Sequence, residues 1–112
     1  MNKDEIRLDL LRRFESNPRY TQRGLSKELG VSLGKINYCV NKLVEKGFIK
    51  FTNFKNNPNK AGYAYLLTPK GFEEKGLLTI LFLKIKIQEY KILKDEISKL
   101  KKDTEKLNKN HE

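Results

Sequence analysis

The sequence predicts a mainly α fold with one small β-hairpin (α+β), in which a compact helical domain leads into a single long helix. Three observations predict it. Residues 21–47, TQRGLSKELGVSLGKINYCVNKLVEKG, have the apolar spacing of two helices joined by a tight turn. Residues 48–67 change to the period and composition of two strands around a loop. After Thr68 nothing breaks a helix until about Leu107.

The first helix is expected over about 4–15, where Ile6, Leu8, Leu10, Leu11 and Phe14 recur at amphipathic spacing and Asn17-Pro18 then stops the run. Thr21 is a natural N-cap for a helix over 21–29, and Gly30 a left-handed stop. Leu25 and Leu29 lie one turn apart on that helix, and Val31 plugs the turn after it. Ser32 caps the next helix, 32–46, whose apolar stripe is Ile36, Val40, Leu43 and Val44; Lys46-Gly47 closes it. Phe48 to Phe54 is rich in aromatic and β-branched residues, KNNPNKAG is a basic loop, and Tyr63 to Leu67 reads as a return strand. A hairpin with a protruding tip, set after two helices joined by a tight turn, makes residues 1–68 a winged helix-turn-helix domain.

Thr68-Pro69 begins the long helix, expected over 69–108 with a disordered tail at 109–112. Such a helix is ~58 Å long at the standard rise, more than the domain it leaves, so its distal half needs a partner or stands in solvent. Tyr90, Leu93, Ile97, Leu100, Thr104 and Leu107 fall at a and d positions of a heptad, while Leu78, Leu81, Ile85 and Ile92 follow a different stripe upstream. Leu78, Leu81, Ile85, Ile92, Leu93, Ile97, Leu100 and Leu107 are therefore the expected homodimer contacts, in a coiled coil.

A formal charge of +10 favours a polyanionic partner, nucleic acid before an anionic membrane surface. The second helix of the pair is the expected recognition helix. Ser32, Gly34, Lys35, Asn37, Tyr38, Asn41 and Lys42 lie off its apolar stripe. Asn can bond adenine in bidentate fashion, Lys reaches guanine or phosphate, and Tyr packs on thymine methyl groups. Gly34 lets the backbone approach closely. Arg19, Thr21, Gln22 and Arg23 open the first helix of the pair and suit phosphate contact, which sets affinity rather than sequence choice. Lys55, Asn56, Asn57, Asn59 and Lys60 of the wing suit backbone or minor-groove contact.

Enzyme classes find no support. There is no phosphate-binding Gly-rich loop and no nucleophile elbow, and Glu73 and Glu74 are neighbours on a helix that point apart. One cysteine, Cys39, and one histidine, His111, make neither a disulfide nor a metal site of known spacing, so no metal and no cofactor are expected. Cys39 reads as a packing thiol rather than a redox switch. The longest apolar run, Leu77 to Leu83, is too short to span a bilayer, and the N-terminus lacks signal-peptide features; the expected location is cytoplasmic.

Three segments, SLGKINYCVNKLVEKGFIK (32–50), NFKN (53–56) and YLLTPKGFEEK (65–75), make the chain resemble the MarR-type winged-helix regulators. Within these it is most similar to the short subfamily associated with exopolysaccharide (EPS) gene clusters. The resemblance spans about Ile6 to Leu93 and implies a dimeric transcription factor on a roughly palindromic site. It also implies that Lys35, Asn37, Tyr38 and Asn41 belong to the recognition helix. The wing arginine usual in larger relatives has no counterpart, only Lys55 and Lys60. Those relatives carry further helices around an effector pocket; this chain is shorter, and no small-molecule effector is expected. The expected function is sequence-specific, homodimeric transcriptional regulation on duplex DNA. The alternatives are a protein- or RNA-interaction module and a nonspecific architectural DNA binder.

Overall fold

The computed structural model of the protein describes residues 1–53 and 63–110. The elements are α1 (Lys3–Ser16), α2 (Gln22–Leu29), α3 (Leu33–Glu45), β1 (Ile49–Asn53), β2 (Tyr63–Leu67) and α4 (Pro69–Asn110). The fold is mostly helical with one antiparallel hairpin, a winged helix-turn-helix followed by a long C-terminal helix. Its contacts form two compact units, Met1–Thr79 and Ile80–Glu112, so the first eleven residues of α4 belong with the winged domain.

Side-chain caps set the helix starts. Asn2 accepts the Glu5 N–H at 2.8 Å, which places the start of α1 one residue before the expected Asp4. Thr21 accepts the Gly24 N–H at 3.0 Å, and Ser32 accepts that of Lys35 at 3.2 Å. Each cap satisfies one of the donors that a first helical turn leaves unpaired. Gly30 ends α2 at φ 66°, a left-handed conformation that a side chain would strain. The Ser26 hydroxyl then donates to the Val31 carbonyl at 2.5 Å and ties off the turn.

Ile6, Leu10, Leu11, Phe14, Leu25, Ile36, Val40, Leu43 and Ile49 are the fully buried heart of the first unit. Leu29 and Val31 are half-buried around the turn. Val44 departs from its expected place in the α3 stripe and is 40% exposed. The buried arc of α3 centres on Ile36, Cys39, Val40 and Leu43, and one further turn beyond Val40 carries Val44 past its edge.

In the hairpin, Ile49 faces Leu67, Phe51 faces Tyr65 and Thr52 faces Ala64. Ile49 and Tyr65 share one side and are buried, and Lys50 and Leu66 share the other and are exposed, but burial also depends on position along the ladder: Ala64 on the second side is buried and Phe51 on the first is exposed. The Tyr65 ring packs on Phe14 at 5.0 Å between centroids, and its N–H donates to the Pro18 carbonyl at 2.9 Å. The hairpin is thereby fixed to the end of α1.

The junction from α3 into α4 is held by Thr68. Its hydroxyl donates to the Gly47 carbonyl at 2.5 Å and accepts the Gly71 N–H at 3.0 Å, while its own N–H donates to the Phe48 carbonyl at 3.1 Å. Gly71 then lies so near that same carbonyl that a Cβ there would sit 1.9 Å from the oxygen. A glycine inside a helix is ordinarily only tolerated, but here the close approach requires it. Lys75 pairs with Glu15, joining the start of α4 to the end of α1.

Helix α4 continues to Asn110, two residues past its expected end, so Lys109 and Asn110 are helical rather than part of a tail. Leu78 differs from the other residues of the expected dimer seam: it is 5% exposed and completes the core of its own unit. In the second unit Leu81, Ile85, Ile92, Leu93, Ile97, Leu100 and Leu107 are all exposed, from 38% at Ile85 to 64% at Leu100. His111 lies outside the described residues.

Candidate nucleic-acid interface

Helix α3 buries Ile36, Cys39, Val40 and Leu43 and leaves Gly34, Lys35, Asn37, Tyr38 and Asn41 on the outside. Because α2 and α1 pack on either side of its buried arc, the outer surface has two flanks of different chemistry.

The flank beside α2 carries carboxamides. The Asn41 side-chain N–H donates to Asn37 Oδ1 at 3.2 Å, and that of Asn37 donates to Gln22 Oε1 at 3.1 Å. Asn37 and Asn41 are one helical turn apart, and Gln22 reaches Asn37 from the first residue of α2. The chain of amides holds Asn37 in one orientation. Thr21, Gln22, Arg23, Leu33, Gly34 and Asn37 line a shallow groove here, so the residues expected to hold phosphate and those expected to read bases share one surface. Arg23 is exposed at its rim. Arg19 is also exposed, and its N–H donates to Asn17 Oδ1 at 3.0 Å in the turn before α2.

The flank beside α1 is cationic. Tyr38, 48% exposed, has Lys3 Nζ 5.3 Å and Lys42 Nζ 5.7 Å from its ring centroid. Both separations suit a cation–π contact. Lys42 also pairs with Glu45 at 3.3 Å. Cys39 is 8% exposed at the edge of this flank and packs as a small apolar group. Lys3, Arg7 and Lys46 were not among the expected contacts. Lys46 caps the end of α3, whereas Lys3 and Arg7 stand on α1, and only the packing of α1 against α3 brings them beside Tyr38. Their charge was the one available signal.

Ser32, Gly34, Lys35, Asn37, Tyr38, Asn41 and Lys42 thus lie at or along one exposed face, with Thr21, Gln22 and Arg23 beside them. The expected wing contacts Lys55, Asn56, Asn57, Asn59 and Lys60 lie outside the described residues. Among the described residues, no group of His, Cys, Asp and Glu could hold a metal ion, and no helix is long and apolar enough to cross a membrane.

Residues 3–50 match the family described as winged helix-turn-helix DNA-binding. No curated protein matches the chain. Among solved structures, the fold is similar to a MarR/EmrR-family transcriptional regulator from Acinetobacter, with a TM-score of 0.60 at 22% identity over 76% of this chain. The chain spans 56% of the length of that regulator. FabT of Streptococcus pneumoniae, solved in complex with DNA, is similar with a TM-score of 0.54 at 23% identity, over 90% of this chain and 75% of FabT. A mutant of S. aureus MepR is similar along all of this chain and 80% of its own length, with a TM-score of 0.62 at 17% identity. The fold of this chain is the winged helix-turn-helix of these MarR-family structures.

Proposed function

We propose that this protein is a MarR-type transcriptional regulator that reads duplex DNA in a sequence-specific way as a homodimer in the cytoplasm. One observation carries the proposal: α3 holds Asn37 between Asn41 and Gln22 on an exposed face, next to the N-terminal turn of α2. Oriented carboxamides on a helix that fits a major groove are the groups that bond adenine edges. The net charge of +10 supports a polyanionic partner. FabT in complex with DNA shares the fold and supports the same reading.

Dimerisation is proposed through the exposed apolar positions Leu81, Ile85, Ile92, Leu93, Ile97, Leu100 and Leu107. A two-fold dimer would present two α3 helices to half-sites about one DNA turn apart. No effector is assigned. Control of exopolysaccharide genes is the finer proposal; it rests on the resemblance of residues 32–50, and a flanking polysaccharide gene cluster would support it.

The test is selection of bound sequences from a random duplex pool, followed by titration of the winner against scrambled duplex across a salt series. A preferred, roughly palindromic sequence supports the proposal. Equal affinity for every duplex indicates an architectural binder, and binding to RNA or an acidic protein alone indicates an interaction module.

A further inference from the structure

Lys3, Arg7, Tyr38, Cys39, Lys42, Leu43 and Lys46 enclose a pocket of about 310 Å³ between the start of α1 and the second half of α3. Four of the seven are cations and none is acidic. Two carboxylates stand next to it: Asp4 lies 4.0 Å from Arg7, and Glu45 lies 3.3 Å from Lys42. Among the described residues, neither Lys3 nor Lys46 has a carboxylate partner. Lys3 and Lys42 instead both approach the face of the Tyr38 ring. With Arg7 and Lys42 each beside a carboxylate, Lys3 and Lys46 leave the pocket lining with a surplus of positive charge that an anion would offset.

We propose that this pocket takes a backbone phosphate of the DNA duplex, clamped by Lys3, Arg7 and Lys46 on the side of α3 opposite Arg23 and Gln22. The proposal rests on the DNA reading of α3 and extends it: the recognition helix is flanked by a phosphate-binding site on each side. The α1 site adds affinity and fixes the tilt of α3 in the groove, without reading bases. Arg7 supplies a planar, multi-donor guanidinium suited to phosphate, and Lys3 and Lys46 supply point charges.

The experiment compares the full-length protein with a Lys3→Gln/Arg7→Gln double variant on the selected duplex and on a scrambled one, across a salt series. Lys99→Gln/Lys102→Gln, at outward heptad positions of α4, is the control for bulk charge. Thermal unfolding establishes that both variants fold. The double variant is expected to lose roughly tenfold or more in affinity on both duplexes alike, with the slope of log K against log salt smaller by about 0.9 per phosphate lost. A wild-type affinity and slope in the double variant overturns the proposal. If Tyr38 ring resonances then move with inorganic phosphate alone, the pocket belongs to free phosphate. An equal loss in the control also overturns it, because charge alone then explains the effect. A wild-type protein that binds no duplex overturns the underlying DNA reading, and is recognised by the failure of every protein in the series.

Discussion

Gly71 stands over the carbonyl of Phe48 at a distance no side chain can share, since a Cβ would lie 1.9 Å from that oxygen. The start of α4 is therefore seated directly on the backbone that leads from α3 into β1. Gly71→Ala should destabilise the protein by about 2–3 kcal/mol, because backbone has to move to relieve the overlap. Gly76→Ala, with nothing within 4 Å of its Cβ, should be neutral or stabilise by up to about 1 kcal/mol. Urea unfolding of the two variants gives the contrast, and equal stabilities would refute the close packing.

Thr68 holds the same junction by hydrogen bonds. Thr68→Val keeps the shape but loses the hydroxyl that donates to Gly47 and accepts from Gly71. A loss of about 1–3 kcal/mol is expected, with Thr68→Ser retaining most of the wild-type stability. Chemical denaturation of the pair measures the difference.

Asn37 is the centre of the amide chain and should carry the most sequence information. Asn37→Ala is expected to lower discrimination between selected and scrambled duplex by about 1–3 kcal/mol. Binding to scrambled duplex should barely change, because phosphate contacts are untouched. Competition binding reads this directly, and an unchanged preference would remove Asn37 from the reading surface.

Arg23 should behave in the opposite way. Arg23→Gln is expected to weaken both duplexes equally and to reduce the salt slope by about 0.9. A loss confined to the selected sequence would mean that Arg23 touches a base.

For the proposed dimer, Ile97 and Leu100 are the positions to test, at 45% and 64% exposure in the single chain. Ile97→Glu with Leu100→Glu should convert the dimer to monomer in analytical ultracentrifugation, since like charges then face each other across the seam. A dimer of undiminished strength would place the interface elsewhere.

Much of this molecule was legible from short-range chemistry. Thr21, Ser32 and Thr68 announce helix starts because a hydroxyl at that position satisfies the next turn, and Gly30 announces a stop because it takes a positive φ. The outward placement of Asn37, Tyr38 and Asn41 follows from helical period alone. What could not be read depends on which elements meet. Gly71 looks like an ordinary helix-weakening glycine until Phe48 is placed beneath it. Leu78 fits an apolar stripe equally well whether its neighbour is its own core or a second subunit. Lys3 and Arg7 join Tyr38 only once α1 is packed against α3, and no local pattern records that contact.

The bonds among Asn41, Asn37 and Gln22 give the reading face a resting state of its own. Asn37 has two N–H donors and two acceptor lone pairs, so one of each stays open beside Gln22 and Asn41, the pair that an adenine edge would engage. On the DNA reading proposed for α3, the central carboxamide would meet a base already oriented, so little side-chain ordering would remain to oppose the contact.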